Sequence, residues 1–268
     1  MLTLDHQSFI RLTAFFGIFA LMAAWEVVAP RRALRVSKPA RWFTNVSITV
    51  LNSVVGRYLF PVTATWLALS AKAQGWGILN YLNVPSLAAG VISIVLLDLA
   101  IYAQHFTFHK VRFFWFFHGM HHTDLDIDVT TGARFHPVEI AISLVIKIGL
   151  IILIGIPAWS FLLFEILLNA TSMFNHSNVR VNIKIDRFLR LILVTPDMHR
   201  VHHSVIIREH DSNFGFNLPW WDRIFGTYKS QPTAGHDNMV IGLANFRDPK
   251  GLTLPRLLTL PFVKGRKL

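Results

Sequence analysis

The 268-residue sequence contains no cysteine. That absence excludes disulfides, thiolate zinc sites and iron–sulfur clusters, which all need cysteine sulfur, and says little about compartment. Charge is scarce too: 15% of residues are Asp, Glu, Lys or Arg, against roughly 25% in ordinary soluble domains. Hydrophobic residues make up 53%, with 22 Phe and 8 Trp, so the deficit points to lipid exposure rather than to a large soluble core. Acidic residues are the scarcer sign, 15 against 26 basic, for a formal net charge of +11. The basic residues flank apolar runs instead of forming one stripe. They fit loops facing anionic headgroups rather than a nucleic-acid surface, and no nucleic-acid partner is expected. Histidine is plentiful at 13 residues, so any metal centre must be built mainly from imidazole.

The N-terminus lacks the positive start and small-residue cleavage site of a secretory leader. Asp5 and His6 precede an apolar run over 9–28, long enough to span a bilayer. A basic loop follows with Arg31, Arg32, Arg35, Lys38 and Arg41. Further spans are expected at 43–69, interrupted by Asn45, Asn52 and Arg57, and at 87–104. The apolar stretch 138–174 contains Gly155 and Pro157. A proline there disfavours one continuous helix, so it reads as a hairpin of spans, 138–154 and 157–174. The fold expected is an all-α integral membrane bundle of about four to five spans, a single domain over 1–268. A helical histidine cap, 105–137 and 176–230, covers it. The Arg-rich loop places the cap on the cytoplasmic side by the positive-inside rule, with the Lys72 loop outside. No internal repeat or low-complexity tract is present.

Three histidine clusters carry the chemistry: His105-x3-His109, His118-x2-His121-His122 and His199-x2-His202-His203. Residues three and four apart share a helix face, so each cluster presents imidazoles in one direction. His105 and His118 cannot share a face of one straight helix, because thirteen residues at about 100° each leave them roughly 220° apart. A break near Lys110–Arg112 is therefore needed. Eight imidazoles exceed the needs of one ion, which implies two. Zinc and iron both accept imidazole, and spacing does not choose between them. Surface or core histidines are the bland alternative, but so many unpaired buried imidazoles would be costly.

The pattern resembles the fatty acid hydroxylase/sterol desaturase superfamily, particularly its bacterial sterol-desaturase-like members. The resemblance covers about 90–230. It rests on the clusters with Asp98-Leu-Ala-Ile-Tyr-Ala-Gln-His105, Asp128-Val-Thr-Thr-Gly-Ala-Arg134-Phe-His136-Pro137, Asn175-His176-Ser177-Asn178, Thr195-Pro-Asp197, Asn213-Phe-Gly-Phe and Trp221-Asp222-Arg-Ile-Phe-Gly-Thr-Tyr228. It implies a non-haem di-iron oxidoreductase that activates O2 to hydroxylate or desaturate a membrane lipid, sterol or fatty acyl among them. Zinc would be a substituted metal. The eight clustered histidines become ligands, with His176 a ninth and His136 either a ligand or a support. The resemblance also implies a bacterial cytoplasmic membrane rather than the endoplasmic reticulum. Electrons must come from a separate donor, cytochrome b5-like or a ferredoxin with its reductase, because no flavin or pyridine-nucleotide signature is legible.

Two polar stripes lead towards the clusters: Asp98, Tyr102, His105 and His109 on one helix, and Glu165, Asn169, Ser172 and His176 on another. Asp98, Tyr102, Glu165 and Asn169 either support ligands or line the substrate cavity; the other reading is interhelical glue such as a Glu165–Lys147 pair. Asp197, beside the third cluster, is a further supporting candidate. Asp124, Asp126 and Asp128 form either a solvated loop or imidazole partners, and Trp220 and Trp221 an interfacial anchor or a lid. His6, His210 and His236 read as surface residues. The competing class is a non-catalytic membrane metal-binding or transport protein, whose histidines would line a path through the bilayer.

Overall fold

The computed structural model describes residues 4–59 and 64–263. Residues 60–63, inside the second expected span, and the tail 264–268 lie outside the described residues. Among the described residues there is no strand, only the isolated bridges Pro30–Val179 and Ser204–Ile241, and the chain is all-α.

Its first helices are α1 (Leu4–Val28), α2 (Lys38–Leu59), α3 (Ala64–Ala73), the single turn α4 (Ile78–Tyr81) and α5 (Ser86–Lys110). They continue with α6 (Arg112–His122), α7 (Pro137–Leu150) and α8 (Ala158–Asn175). The remaining elements are short: α9 (Ile183–Leu189), α10 (Pro196–His202), α11 (Ile207–His210), α12 (Trp220–Ile224), α13 (Gly235–Asn238) and α14 (Leu254–Thr259).

Four stretches among the described residues are long and apolar enough to cross a membrane: His6–Val28, Lys38–Tyr81, Ser86–Lys110 and Pro137–Gly155. The second runs across the undescribed 60–63. The stretch expected as a fifth span, 157–174, is helical as α8, but Glu165 and Asn169 interrupt its apolar sequence and it falls outside this set. Large apolar side chains on the outer helices, such as Phe9, Phe16, Phe43 and Val50, are well exposed, as lipid-facing surfaces require. By contrast α5 is the inner helix, with 39% of its span buried against 6% for α1. Leu97 and Ile101 of α5 pack with Phe161 and Phe164 of α8, Ala68 and Ala71 of α3, and Ile156.

The hairpin between α7 and α8 breaks where the sequence indicates. Residues Ile151–Gly155 form a π-turn, Gly155 takes φ +81°, and Pro157 caps α8. A Cβ on Gly155 would lie 2.8 Å from the Trp76 carbonyl oxygen, so the turn closes directly onto the loop after α3. The break between α5 and α6 is equally local: Val111 alone is extended, at φ −102° and ψ 114°. Helices α5 and α8 therefore run towards the histidines and α7 runs away from them. The tail after Ser230, to which the sequence assigned no role, packs Leu257 and Leu260 against Ile48 and Met120.

Candidate metal centre

Helical spacing decides which histidines meet. His105 and His109 leave the last turns of α5, His118, His121 and His122 end α6, and His199, His202 and His203 end α10. His176 is the C-cap of α8. Their ligand-capable atoms form two groups, each within 4.8 Å: His105, His109, His118, His122 and His202 in one, and His121, His176, His199 and His203 in the other. Consecutive residues on a helix diverge by about 100°. Each doublet, His121–His122 and His202–His203, is accordingly divided between the groups. The groups adjoin, with the His122 and His203 rings 4.6 Å apart.

Backbone carbonyls fix the ring tautomers. Nδ1 donates to Phe214 O from His105 (2.7 Å), to Arg134 O from His121 (3.1 Å), to Ser172 O from His176 (2.8 Å) and to Ser212 O from His202 (2.7 Å). Nδ1 of His118 donates to Glu139 Oε1 at 2.7 Å. The four backbone carbonyls can only accept, so Nδ1 of those rings keeps the proton and Nε2 offers its lone pair. Nε2 atoms then approach one another at 3.1 Å for His118–His122, 3.1 Å for His121–His176 and 3.0 Å for His176–His199. Bare lone pairs repel at that spacing, whereas a shared cation with bonds of about 2.0–2.1 Å to imidazole sets neighbouring ligands about 3 Å apart. His105 Nε2, His202 Nε2 and both nitrogens of His203 are buried without a hydrogen-bond partner. Burial pushes His118 and His176 down to about 3 and holds His121, His122, His199, His202 and His203 well below the ordinary imidazole range. All seven are neutral at pH 7, as ligation requires. The all-nitrogen donor set suits iron or zinc.

Other expected site residues lie elsewhere. His136 joins neither group: it caps α7 by accepting from the Val138 N–H at 3.1 Å, and its Nε2 donates to Leu258 O at 3.2 Å. Asp98 accepts from Trp221 Nε1 (2.8 Å) and Tyr102 bonds Thr227 (2.9 Å), so this stripe pins the 214–228 segment to α5. Asp197 binds Arg31 and Arg200. Glu165 pairs with Lys147 at 3.0 Å and Arg11 at 2.8 Å, and Asn169 donates to the Glu165 carbonyl. None of these five bonds a clustered imidazole. The carboxylates that do are Glu139, three residues beyond His136 in the first turn of α7, and Asp211, whose Oδ1 lies 3.4 Å from His109 Nδ1.

His6 is exposed as expected, but His210 and His236 are buried. His210 approaches His109 and Asp211 closely enough for all three to share an ion, and His236 Nε2 lies 3.8 Å from Asp197. The acidic loop is neither solvated nor an imidazole partner. Arg41 grips Asp124 at 2.8 Å and Asp128 at 2.7 Å, and Asp126 accepts from the backbone N–H groups of Arg35 and Val36.

A cavity of about 520 Å³ opens beside the first group, lined by His105, His118 and Glu139 at one end and by Lys147, Glu165 and Arg11 elsewhere. Its apolar wall includes Ile101, Phe135, Ile140, Leu144, Leu168 and Phe216. An adjoining cavity of about 390 Å³ shares Arg11, Phe15, Thr49 and Glu165 and includes Leu12, Phe16 and Val50, each more than half exposed on the outer surface.

Membrane-length apolar helices with two adjoining all-imidazole groups at one end, opening on an apolar cavity, define a helical membrane-protein scaffold able to hold a histidine-based metal centre. The family model described as Fatty acid hydroxylase matches residues 90–227, more than half of the chain. The chain belongs to the fatty acid hydroxylase family. It is 30% identical over 228 residues to the ornithine lipid hydroxylase OlsE of Rhizobium tropici, covering 81% of this chain and 66% of that protein. It is 30% identical over 149 residues to the alkylglycerol monooxygenase of Homo sapiens (55% and 31%) and 27% identical over 204 residues to that of Danio rerio (75% and 44%). The chain thus spans two thirds or less of the length of these relatives. No solved structure matches it.

Proposed function

We propose that the chain is an O2-dependent non-haem di-iron oxygenase that hydroxylates a C–H bond of a membrane lipid. The observation that carries the reading is the meeting of two all-imidazole groups with one apolar cavity whose neighbour reaches the lipid-facing surface. One ion would be held by His105, His109, His118, His122 and His202, the other by His121, His176, His199 and His203. The relatives named a lipid hydroxylase and a monooxygenase support oxygen insertion; the desaturation and sterol alternatives gain nothing from those names. Iron fits that chemistry. Zinc would occupy the same imidazoles as a substitute without redox activity.

Bound irons would supply the reductive activation of O2 that C–H hydroxylation requires. The protein's part is geometric. The carbonyls of Phe214, Arg134, Ser172 and Ser212 and the Glu139 carboxylate hold the ligand rings in one tautomer and one orientation. Phe135, Phe216, Ile101 and Leu168 exclude water and hold an acyl chain so that one carbon lies against His105 and His118. Electrons come from a separate protein of the cytochrome b5 or ferredoxin–reductase kind. The site faces the cytoplasm of a bacterium, and the whole chain forms one membrane domain. In support, the Arg-rich loop is tied to the histidine cap through Arg31–Asp197 and Arg41–Asp124, which sets basic residues and histidines on one side.

The test is metal analysis joined to lipidomics. Purified protein should carry about two irons per chain, lost on His121→Ala or His202→Ala, and a lipid of the expressing strain should gain one oxygen atom when O2 and a reductase are supplied. Stoichiometric zinc from metal-controlled expression, with no lipid changed, would sink the proposal.

A further inference from the structure

Arg11 of α1, Lys147 of α7 and Glu165 of α8 line the cavity that ends at His105 and His118. Glu165 pairs with both cations, Arg11 at 2.8 Å and Lys147 at 3.0 Å. Lys147 lies eight residues along α7 from Glu139, and Glu165 lies eleven along α8 from His176. At a rise of 1.5 Å per residue, the triad sits about 12–16 Å along the helices from the histidines. Arg11 and Lys147 fall inside membrane-length apolar stretches, where ionisable side chains are costly and mark function.

Holding α7 to α8 needs one cation for one carboxylate, and Lys147 supplies it. Arg11 adds a second, which leaves the triad with a net charge of +1. Its Nε, a donor, is buried without a hydrogen-bond partner. The cavity's other carboxylate, Glu139, stands at the histidine end, so the wall around the triad keeps an excess of positive charge, which is the complement of an anion. The neighbouring cavity carries Arg11 and Glu165 out to Leu12, Phe16 and Val50 on the lipid-facing surface, so the anion can arrive attached to a lipid.

We propose that Arg11, Lys147 and Glu165 form a subsite for an anionic group of the lipid substrate, a carboxylate or a phosphate, which fixes the carbon presented to the histidines. The inference rests on the reading of this cavity as the substrate's place. Arg11 and Lys147 donate to the anion. Glu165 holds the two cations together when the subsite is empty. Oxidation then falls at a set distance from the charged group, and neutral lipids of the same chain length bind less well.

The full-length, metal-loaded protein in neutral-lipid nanodiscs would be titrated with a fluorescent long-chain fatty acid and with its methyl ester. The wild type should bind the acid on the order of tenfold tighter, the worth of one charge-assisted hydrogen bond. Arg11→Gln and Lys147→Met should each reduce that preference while ester affinity and metal content stay unchanged. Arg11→Lys should retain it, and Glu165→Gln should strengthen acid binding. Displacement of the probe by a lysophosphatidic acid but not by millimolar inorganic phosphate would assign the anion to a lipid. Equal binding of acid and ester by the wild type, a preference surviving Arg11→Gln with Lys147→Met, or displacement by inorganic phosphate alone would overturn the proposal. Absent selectivity in protein that still adds oxygen to a lipid would sink this subsite and spare the hydroxylase reading. Intact selectivity without any oxygenated lipid would do the reverse.

Discussion

A metal-binding imidazole needs its second ring nitrogen held, or the ring turns and the tautomer is lost. At His118 that partner is Glu139, fully inside the protein at 2.7 Å. Glu139→Ala should lower metal affinity by about 10–100-fold, the usual effect of removing such a partner, whereas Glu139→Gln, which keeps an acceptor oxygen, should lose far less. Competition with a metallochromic chelator measures both, and equal losses would mean that the charge, not the hydrogen bond, matters. Gly132 acts on His176 by a different route. A Cβ there would lie 2.5 Å from the Ser172 carbonyl oxygen, the acceptor for His176 Nδ1. Backbone cannot yield as a flexible side chain would, so Gly132→Ala should displace the last turn of α8. Metal stoichiometry should fall towards one ion per chain, since His176 serves only the second group; two retained ions would show that the turn can give way.

The histidines that meet in the two groups were legible because side chains sharing a helix face must repeat at three- and four-residue spacing, and the pattern survives in the linear sequence. The break at Val111 followed from the same angular arithmetic. Partners of the imidazoles were hidden for an equally physical reason: four of the six are backbone carbonyls, which any residue provides, and Glu139 and Asp211 belong to segments remote in sequence from His118 and His109. His210 was misread as a surface residue because the helix carrying His199 and His202 ends at His203, and only the turn through α11 returns it to His109. Element pairing was similarly unreadable where it is non-local. Arg41 opens α2 but its function is to clamp the loop after α6, through Asp124 and Asp128, with Asn45 bonding Thr130 beside them. Removing one member of a buried ion pair strands the others without water, typically costing about 3–5 kcal/mol. Arg41→Met should therefore lower thermal stability by about that amount, whereas Lys110→Met, which breaks the exposed Lys110–Asp211 pair, should cost about 0–1 kcal/mol. Differential scanning of the two variants in one detergent makes the comparison, and similar losses would show that the clamp is solvated.

At the scale of the whole molecule, the concentration of buried neutral imidazole ties the fold to pH. Burial pushes His118, His176 and His210 down to about 3, whereas the same groups in the unfolded chain protonate near 6.5. Between those values the unfolded state holds more protons, so acid favours unfolding; above about 6.5 neither state takes them up and the contribution is flat. Each imidazole that stays neutral only in the fold removes about 1.4 kcal/mol of stability per pH unit as pH falls through that window. Bound metal acts in the opposite sense at neutral pH, since it binds only the neutral rings, and protons displace it on acidification. The metal-stripped protein should accordingly show a constant melting temperature from about pH 8 to 7 and a steep decline below about 6.5. The loaded protein should melt higher at pH 7 and converge on the stripped curve once acid has released its ions. Parallel melts at half-unit intervals, with metal content read at each pH, separate the two effects. A stripped protein whose melting point stays level down to pH 5 would mean that these rings titrate as they do in water, and the dry, preformed histidine centre would have to be abandoned.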